Sequence, residues 1–205
     1  MQKVILDDSL FIAKGSGRSC YTHPNDESKL IKIKYSQAGI DNDQNLIDYR
    51  YINYLRKNKK SLKHIAQCYE YVDTNLGTGL VCDRIVNYDQ SVSKSFRYFM
   101  AKKIITLEHQ QKLLNELKDY LESEAIVFVD NSLRNILCQE ISEGQYRLII
   151  IDGLGAKREG LKFWLYLNVN LYRTYKIKRQ WMRLSNAYKI DLARIDLNEN
   201  PITRF

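Results

Sequence analysis

The stretch Val127-Phe128-Val129-Asp130-Asn131-Ser132-Leu133-Arg134-Asn135-Ile136-Leu137, VFVDNSLRNIL, sets an acid and an amide five positions apart inside an apolar run. Stripping the water from an unpaired carboxylate costs several kcal/mol, so a buried segment keeps one only where something compensates it. The sequence on either side of the run must supply that compensation.

Downstream, Ile136-Leu137-Cys138 and Leu148-Ile149-Ile150-Ile151 read as two strands around the polar turn Glu140-Ile141-Ser142-Glu143-Gly144, and the second strand stops at Asp152-Gly153-Leu154-Gly155. An acid, four residues, an amide, a hairpin and then an acid at a strand end is the order of the catalytic parts in protein kinases. In that template Asp130 accepts the proton of the substrate hydroxyl, while Asn135 and Asp152 hold the magnesium ions that bridge the nucleotide phosphates. A metal flanked by phosphates is the missing partner of the carboxylates. On its own, D-x-x-x-x-N is a weak signal that an Asx-turn would also produce.

Upstream, Leu10 to Thr22 reads as two short strands around Lys14-Gly15-Ser16-Gly17-Arg18, and the turn His23-Pro24-Asn25-Asp26 leads to a third strand, Leu30-Ile31-Lys32-Ile33-Lys34. Asn45 to Arg56 has helical spacing, with Leu46, Tyr49, Ile52 and Leu55 on one face. Gln67–Val72 and Gly79–Ile85 form a hairpin around residues 73–78, and Leu107, Leu114, Leu117 and Leu121 mark a long amphipathic helix. Leu161 to Arg183 reads as one or two helices rich in cations and aromatics. The expected architecture is α+β and bilobal: residues 1–86 form a five-stranded lobe with one helix, and residues 87–205 a reduced, mostly helical lobe.

The 205 residues are 44% apolar and 27% charged, an ordinary globular composition with enough apolar side chains for one core or two small lobes. The start, MQKVILDDSL, lacks the regions of a signal peptide and no apolar run is long enough to span a bilayer, so a cytoplasmic protein is expected, with attachment at the periphery of the inner membrane as its variant. Cys20, Cys68, Cys82 and Cys138 have no metal-ligand spacing and read as buried, reduced thiols. The net charge of +8 is concentrated: Lys157, Arg158, Lys162, Arg173, Lys176, Lys178, Arg179 and Arg183 face only Glu159, a local net of +7.

Gly15, Cys20-Tyr21-Thr22-His23-Pro24-Asn25-Asp26, Ile31-Lys32-Ile33, Gly77-Thr78-Gly79, Asn135-Ile136-Leu137-Cys138 and Asp152 together resemble the YrbL family of PhoP regulatory network proteins, small bacterial relatives of the protein-kinase-like folds. The resemblance implies ATP and Mg as cofactors. It places Gly15 and Gly17 in the phosphate loop, Lys32 on the α and β phosphates, and Asp48 where kinases put the helix acid that pairs with that lysine. It makes Val81 to Ile85, with Asp83 between them, the hinge whose backbone meets the adenine. Cys20 replaces the third loop glycine, and Phe128-Val129 replaces the usual His-Arg, so activation-loop phosphorylation is not expected to regulate the chain. Ser132 stands where many kinases have a lysine for the γ-phosphate, a charge that Arg134 could supply.

Only 53 residues follow Asp152, with no A-P-E sequence, which disfavours a protein substrate. The leading expectation is phosphoryl transfer from ATP to a small-molecule or glycan hydroxyl, with the basic segment drawing an anionic acceptor or an anionic membrane surface. One alternative is a nucleotide-binding regulator with little turnover, since the glycine loop and helix acid are altered. A third, disfavoured reading is nucleic-acid binding, with Trp164, Tyr172, Tyr175 and Trp181 as stacking platforms; the simpler reading of these aromatics is core.

Overall fold

The computed structural model describes residues 3–15, 17–35, 43–197 and 199. Ser16, in the middle of the expected glycine loop, lies outside the described residues.

β1 (Phe11–Lys14), β2 (Arg18–His23), β3 (Asp26–Lys34), β4 (Cys68–Thr74) and β5 (Gly77–Asp83) form one antiparallel sheet in the order β1-β2-β3-β5-β4. The alternation of β3 decides what each face carries. Lys32 pairs in register with Cys20 on one side and Leu80 on the other, so these three share the inward face. Ile31, Ile33 and Val81 point the opposite way and pack with Leu6 in a small core of their own. That core leaves no room for a side chain at position 79, because a Cβ on Gly79 would stand 2.7 Å from Ile33 Cδ1.

Helix α1 (Gln44–Lys57) starts where the Asp43 carboxylate accepts from the Leu46 amide at 3.1 Å. Its buried face comprises Asn45, Ile47, Asp48, Tyr51, Ile52 and Leu55. The expected stripe is therefore only half the story: Ile52 and Leu55 are buried, Leu46 and Tyr49 are half-buried, and Ile47 and Tyr51 open a second face. The helix has two because it lies between the sheet and the helical part of the molecule.

The second part contains β6 (Lys94–Ser95), α2 (Phe96–Ala101), α3 (Leu107–Ser123), β7 (Ile136–Ser142), β8 (Gln145–Ile150), α4 (Leu161–Asn168) and α5 (Asn170–Asp196). β6, β7 and β8 make a small antiparallel sheet, with the β7–β8 turn at Glu143-Gly144. In α3, Leu114, Leu117 and Leu121 are buried as their spacing predicts, while Leu107, at the first helical position, is exposed. A continuous core joins Tyr51 of α1, Phe96 of α2, Leu117 of α3, Phe128, Ile150 of β8 and Leu184 of α5. Because α1 shares this core, its position relative to residues 126–156 is fixed by packing.

Among the described residues no helix is long and apolar enough to cross a membrane. Cys68, Cys82 and Cys138 are buried and Cys20 is half-buried, all as free thiols.

Candidate active site between sheet and helical part

The VFVDNSLRNIL segment folds back on the strand-end acid. Phe128 bridges Leu154, and the amides of Val129 and Asp130 both donate to the Gly153 carbonyl, at 2.8 and 3.0 Å. Asn135 donates through Nδ2 to the Asp130 carbonyl at 2.9 Å and to Asp130 Oδ2 at 3.2 Å, while the Ile151 amide donates to the Asn135 carbonyl at 3.0 Å. The acid and amide five positions apart therefore belong to one hydrogen-bonded unit with Asp152 and Gly153.

Two helices hold that unit from behind. The Tyr51 hydroxyl accepts from the Val127 amide at 2.8 Å, and Gln180 of α5 donates to the Val129 carbonyl at 2.8 Å. The Asn131 amide in turn donates to the Gln180 carbonyl. Neither Tyr51 nor Gln180 carries a motif, and only tertiary structure reveals their roles.

In front, a cavity of about 500 Å³ is lined by Gly15, Gly17, Arg18, Cys20, Lys32, Lys34, Asp130, Asp152, Lys157 and Arg158, among others. Asp48 lies behind its wall. Its carboxylate is 3.6 Å from Lys32 Nζ, and Lys32 also donates to the Ile151 carbonyl at 3.0 Å. Asn45, one turn before Asp48, donates to the Lys32 carbonyl at 2.9 Å and so registers α1 against β3.

One residue expected only as part of the loop turns out to be central. Arg18 donates to Asp48 Oδ2 at 2.7 Å, to Asn45 Oδ1 at 3.0 Å and to Asp152 Oδ1 at 2.7 Å. A loop position between a glycine and a serine gives no sequence signal for such a role. Lys157 is the second addition, with Nζ 3.8 Å from Asp130 Oδ1.

Lys32 and Asp152 are both held ionised by their neighbours. Burial and the neighbouring Arg18 both push the Lys32 ammonium toward neutrality, but the anionic groups around it, Asp48 and Asp152 among them, outweigh that and its pKa is raised. Burial alone would raise the Asp152 carboxyl; Lys32, Arg18 and the Gly153 amide instead hold it down at about 2. Asp152 keeps about 40% of its side-chain exposure toward the cavity, so its carboxylate stays within reach of a ligand.

The remaining expected positions lie elsewhere. Asp83 and Ile85 line a different cavity, of about 530 Å³, together with Lys29, Lys63, Arg84 and Arg147. The Asp83 carboxylate is taken up there by Lys29 Nζ at 2.6 Å, the Tyr69 hydroxyl at 2.6 Å and the Gln67 amide at 2.9 Å. Val81 faces the small core beside Ile31. Arg134 sits exposed on a short 3-10 turn, Leu133–Asn135, outside the residues that line either cavity.

The basic segment also divides. Lys157 and Arg158 reach the cavity, while Arg173 is spent inside the fold, donating to the Tyr54 hydroxyl and to the Tyr166 carbonyl at 3.1 Å. Of its aromatics, Tyr172 stacks on Tyr166 and Trp181 packs against the main core, whereas Trp164 and Tyr175 are exposed.

The PknI kinase domain of Mycobacterium tuberculosis superimposes with a TM-score of 0.52 at 11% identity, over 85% of this chain and 71% of that domain. The fold is therefore that of a protein kinase, with a five-stranded sheet and a mostly helical second part. Proteins of Escherichia coli (strain K12) and Shigella flexneri, each described as uncharacterized protein YrbL, are 30% identical over 146 residues, covering 70% of this chain and 70% of theirs. The family model described as PhoP regulatory network protein YrbL matches residues 4–189, and the chain belongs to the YrbL family.

Proposed function

We propose that the chain is an ATP- and Mg-dependent phosphotransferase acting on a small-molecule or glycan-type hydroxyl. The observation that carries this reading is the convergence of Lys32, Asp130 and Asp152 on one cavity, with Asp48 on Lys32 and Asn135 on Asp130. The donor set suits magnesium, which prefers oxygen ligands. Asp152 presents a partly exposed carboxylate to the cavity, and Asn135 spends Nδ2 on Asp130, leaving its amide oxygen for a metal.

In this reading Asp152 and Asn135 hold the magnesium, Lys32 meets the α and β phosphates, and Asp48 keeps Lys32 extended. Bound Mg·ATP supplies the electrophilic γ-phosphoryl group. Asp130 takes the proton of the acceptor hydroxyl as its oxygen attacks. Gly15 and Gly17 let the backbone approach the phosphates. The Asp83 and Arg84 amides are taken by the Gln67 and Ser28 carbonyls, which leaves the expected hinge without those two donors for the base. We assign the γ-phosphate charge to Lys157, which lines the cavity beside Asp130, in preference to Arg134, which lines neither cavity.

Among the described residues five cations line the cavity, Arg18, Lys32, Lys34, Lys157 and Arg158, against the carboxylates of Asp130 and Asp152. That excess favours an anionic acceptor beyond what the nucleotide itself needs. The exposed cations and apolar side chains of α5 favour an anionic membrane as the place where such an acceptor is met.

A second reading, a nucleotide-binding regulator with little turnover, is favoured by the Arg18–Asp152 ion pair, which competes with a metal. The readings separate on Mg-dependent ATP turnover and on thermal shift. Lys32→Ala and Asp152→Asn should weaken the Mg·ATP shift at least tenfold, while Asp130→Asn should retain it and lose only turnover. Undiminished binding in both of the first two variants rules out this site; a nucleotide shift without turnover in the wild type supports the regulator.

A further inference from the structure

From the three acceptors that hold its guanidinium, we infer that Arg18 is a phosphate-binding residue of the nucleotide site, kept in reserve by Asp48 and Asp152. This inference deepens the proposed function and rests on the nucleotide reading of that cavity.

Arg18 follows Gly17 directly and its carbonyl closes the loop, accepting from the Gly15 amide at 2.8 Å. Its backbone thus belongs to the part of the chain that would lie over the phosphates. Its side chain reaches two other elements, α1 through Asn45 and Asp48 and the segment after β8 through Asp152. Opposite it in register stands Lys34, which lines the same cavity.

A metal held by Asp152 would weaken this arrangement. Arg18 Nη2 already holds that carboxylate through Oδ1, and a divalent cation a few ångströms from the guanidinium would repel it. Arg18 would then favour another anion. The phosphates under its own loop are the nearest class of ligand, and a planar guanidinium fork suits their oxygens. The exchange also makes sense of Cys20. A loop that lacks its third glycine brings its backbone less close to phosphate, and an arginine two residues earlier restores the lost donors.

The inference predicts opposite changes in two affinities. Arg18→Gln removes the competitor from Asp152, so Mn2+ alone should bind at least threefold tighter by titration calorimetry. The same variant should bind the non-hydrolysable analogue AMP-PNP with Mn2+ at least tenfold more weakly. Arg18→Lys, which keeps the charge but not the fork, should fall between wild type and Arg18→Gln in both measurements, and it serves alone if Arg18→Gln does not fold. If both affinities fall together, or neither changes, Arg18 is structural cement and the inference is overturned. If the wild type itself ignores AMP-PNP·Mn2+, the nucleotide reading fails and takes this inference with it. A wild type that binds while the variants show no opposed change sinks the Arg18 role alone.

Discussion

A Cβ placed on Gly153 would stand 2.7 Å from Asp130 Cβ and 2.8 Å from the Asp130 carbonyl oxygen, so the residue after the strand-end acid is held directly against the acid of the VFVDNSLRNIL segment. Gly153 also has φ +83°, a conformation that side chains rarely adopt. Gly153→Ala should therefore be destabilised by about 3 kcal/mol in urea unfolding and should lose most of the Mg·ATP thermal shift. Gly144→Ala is the control: its φ is +67°, but a Cβ there meets nothing within 4 Å, so only the backbone strain of about 1 kcal/mol applies. Equal losses in the two variants would mean that the Asp130 contact contributes nothing.

Tyr51 is fully buried, and its hydroxyl accepts from the Val127 amide. Burial pushes its phenol pKa upward, consistent with a hydroxyl that stays protonated. Tyr51→Phe keeps the ring and leaves one buried amide without a partner, at a cost of about 1–3 kcal/mol. Because Val127 begins the segment that carries Asp130 and Asn135, hydrogen exchange at that amide should speed up by more than the global loss of stability explains. Exchange that tracks global stability alone would show that the bond does not hold the segment locally.

The long helix α5 is tied to α2 by a buried ion pair, with Arg97 donating to Asp191 Oδ2 from Nε and Nη2, both at 2.6 Å. Removing one member of a buried pair strands the other's charge, costing about 3–5 kcal/mol, whereas removing both is often far cheaper. Asp191→Leu should therefore be less stable than Arg97→Met/Asp191→Leu. A double variant no more stable than the single would show that the stranded arginine finds water.

Which parts of this molecule the sequence revealed depends on whether a residue's role repeats with a period or sits in a motif. Lys32 was legible because isoleucines flank it on an alternating strand, and Asp152 because it ends an apolar one. Helix α2 was not expected, since its six residues are too few to show a helical period and its cap, Ser95, lies at the end of a two-residue strand. α5 runs to Asp196, beyond the expected limit near Arg183, because its last turns are held by Tyr188, Asp191 and Ile195 against distant elements. Arg18, Lys157 and Gln180 escaped for a related reason: their partners lie more than 25 residues away in sequence, at distances no local pattern encodes.

His64 is 5% exposed, its Nδ1 lies 2.8 Å from the Leu148 carbonyl, and its ring packs on Tyr120. A carbonyl only accepts, so Nδ1 carries the proton and the ring can stay neutral. Burial, the largest influence, holds its pKa below the usual histidine value. With the folded pKa depressed, the unfolded chain takes up the proton first as pH falls through about 6.5, so the stabilising contribution is complete above that pH and is lost below it. Urea unfolding from pH 7.5 down to about 5.5 should show a decline of at most about 1.4 kcal/mol per pH unit from this group. His64→Gln should flatten the decline; an unchanged slope would assign it to other groups.

On α5 the exposed residues Leu171, Tyr175, Met182 and Ile190 follow one another at helical spacing, with exposed Lys178, Arg179, Arg183 and Lys189 among them. Trp164 of α4 is exposed as well. Arg173 is excluded from this surface by its contacts with Tyr54 and Tyr166, and Lys176 lies over the Tyr166 ring. Cations beside apolar side chains on one exposed helical face suit the headgroup region of an anionic bilayer, where each exposed cation contributes about 1 kcal/mol. Lys178→Gln, Arg179→Gln and Arg183→Gln combined should thus weaken sedimentation with phosphatidylglycerol vesicles by about 3 kcal/mol, roughly a hundredfold, and leave AMP-PNP affinity unchanged. Binding should fall steeply as salt is raised and should be absent with phosphatidylcholine alone. A wild type that ignores anionic vesicles at low salt rules the membrane out and leaves the cations lining the Lys32 cavity as the place where an anionic acceptor is recognised.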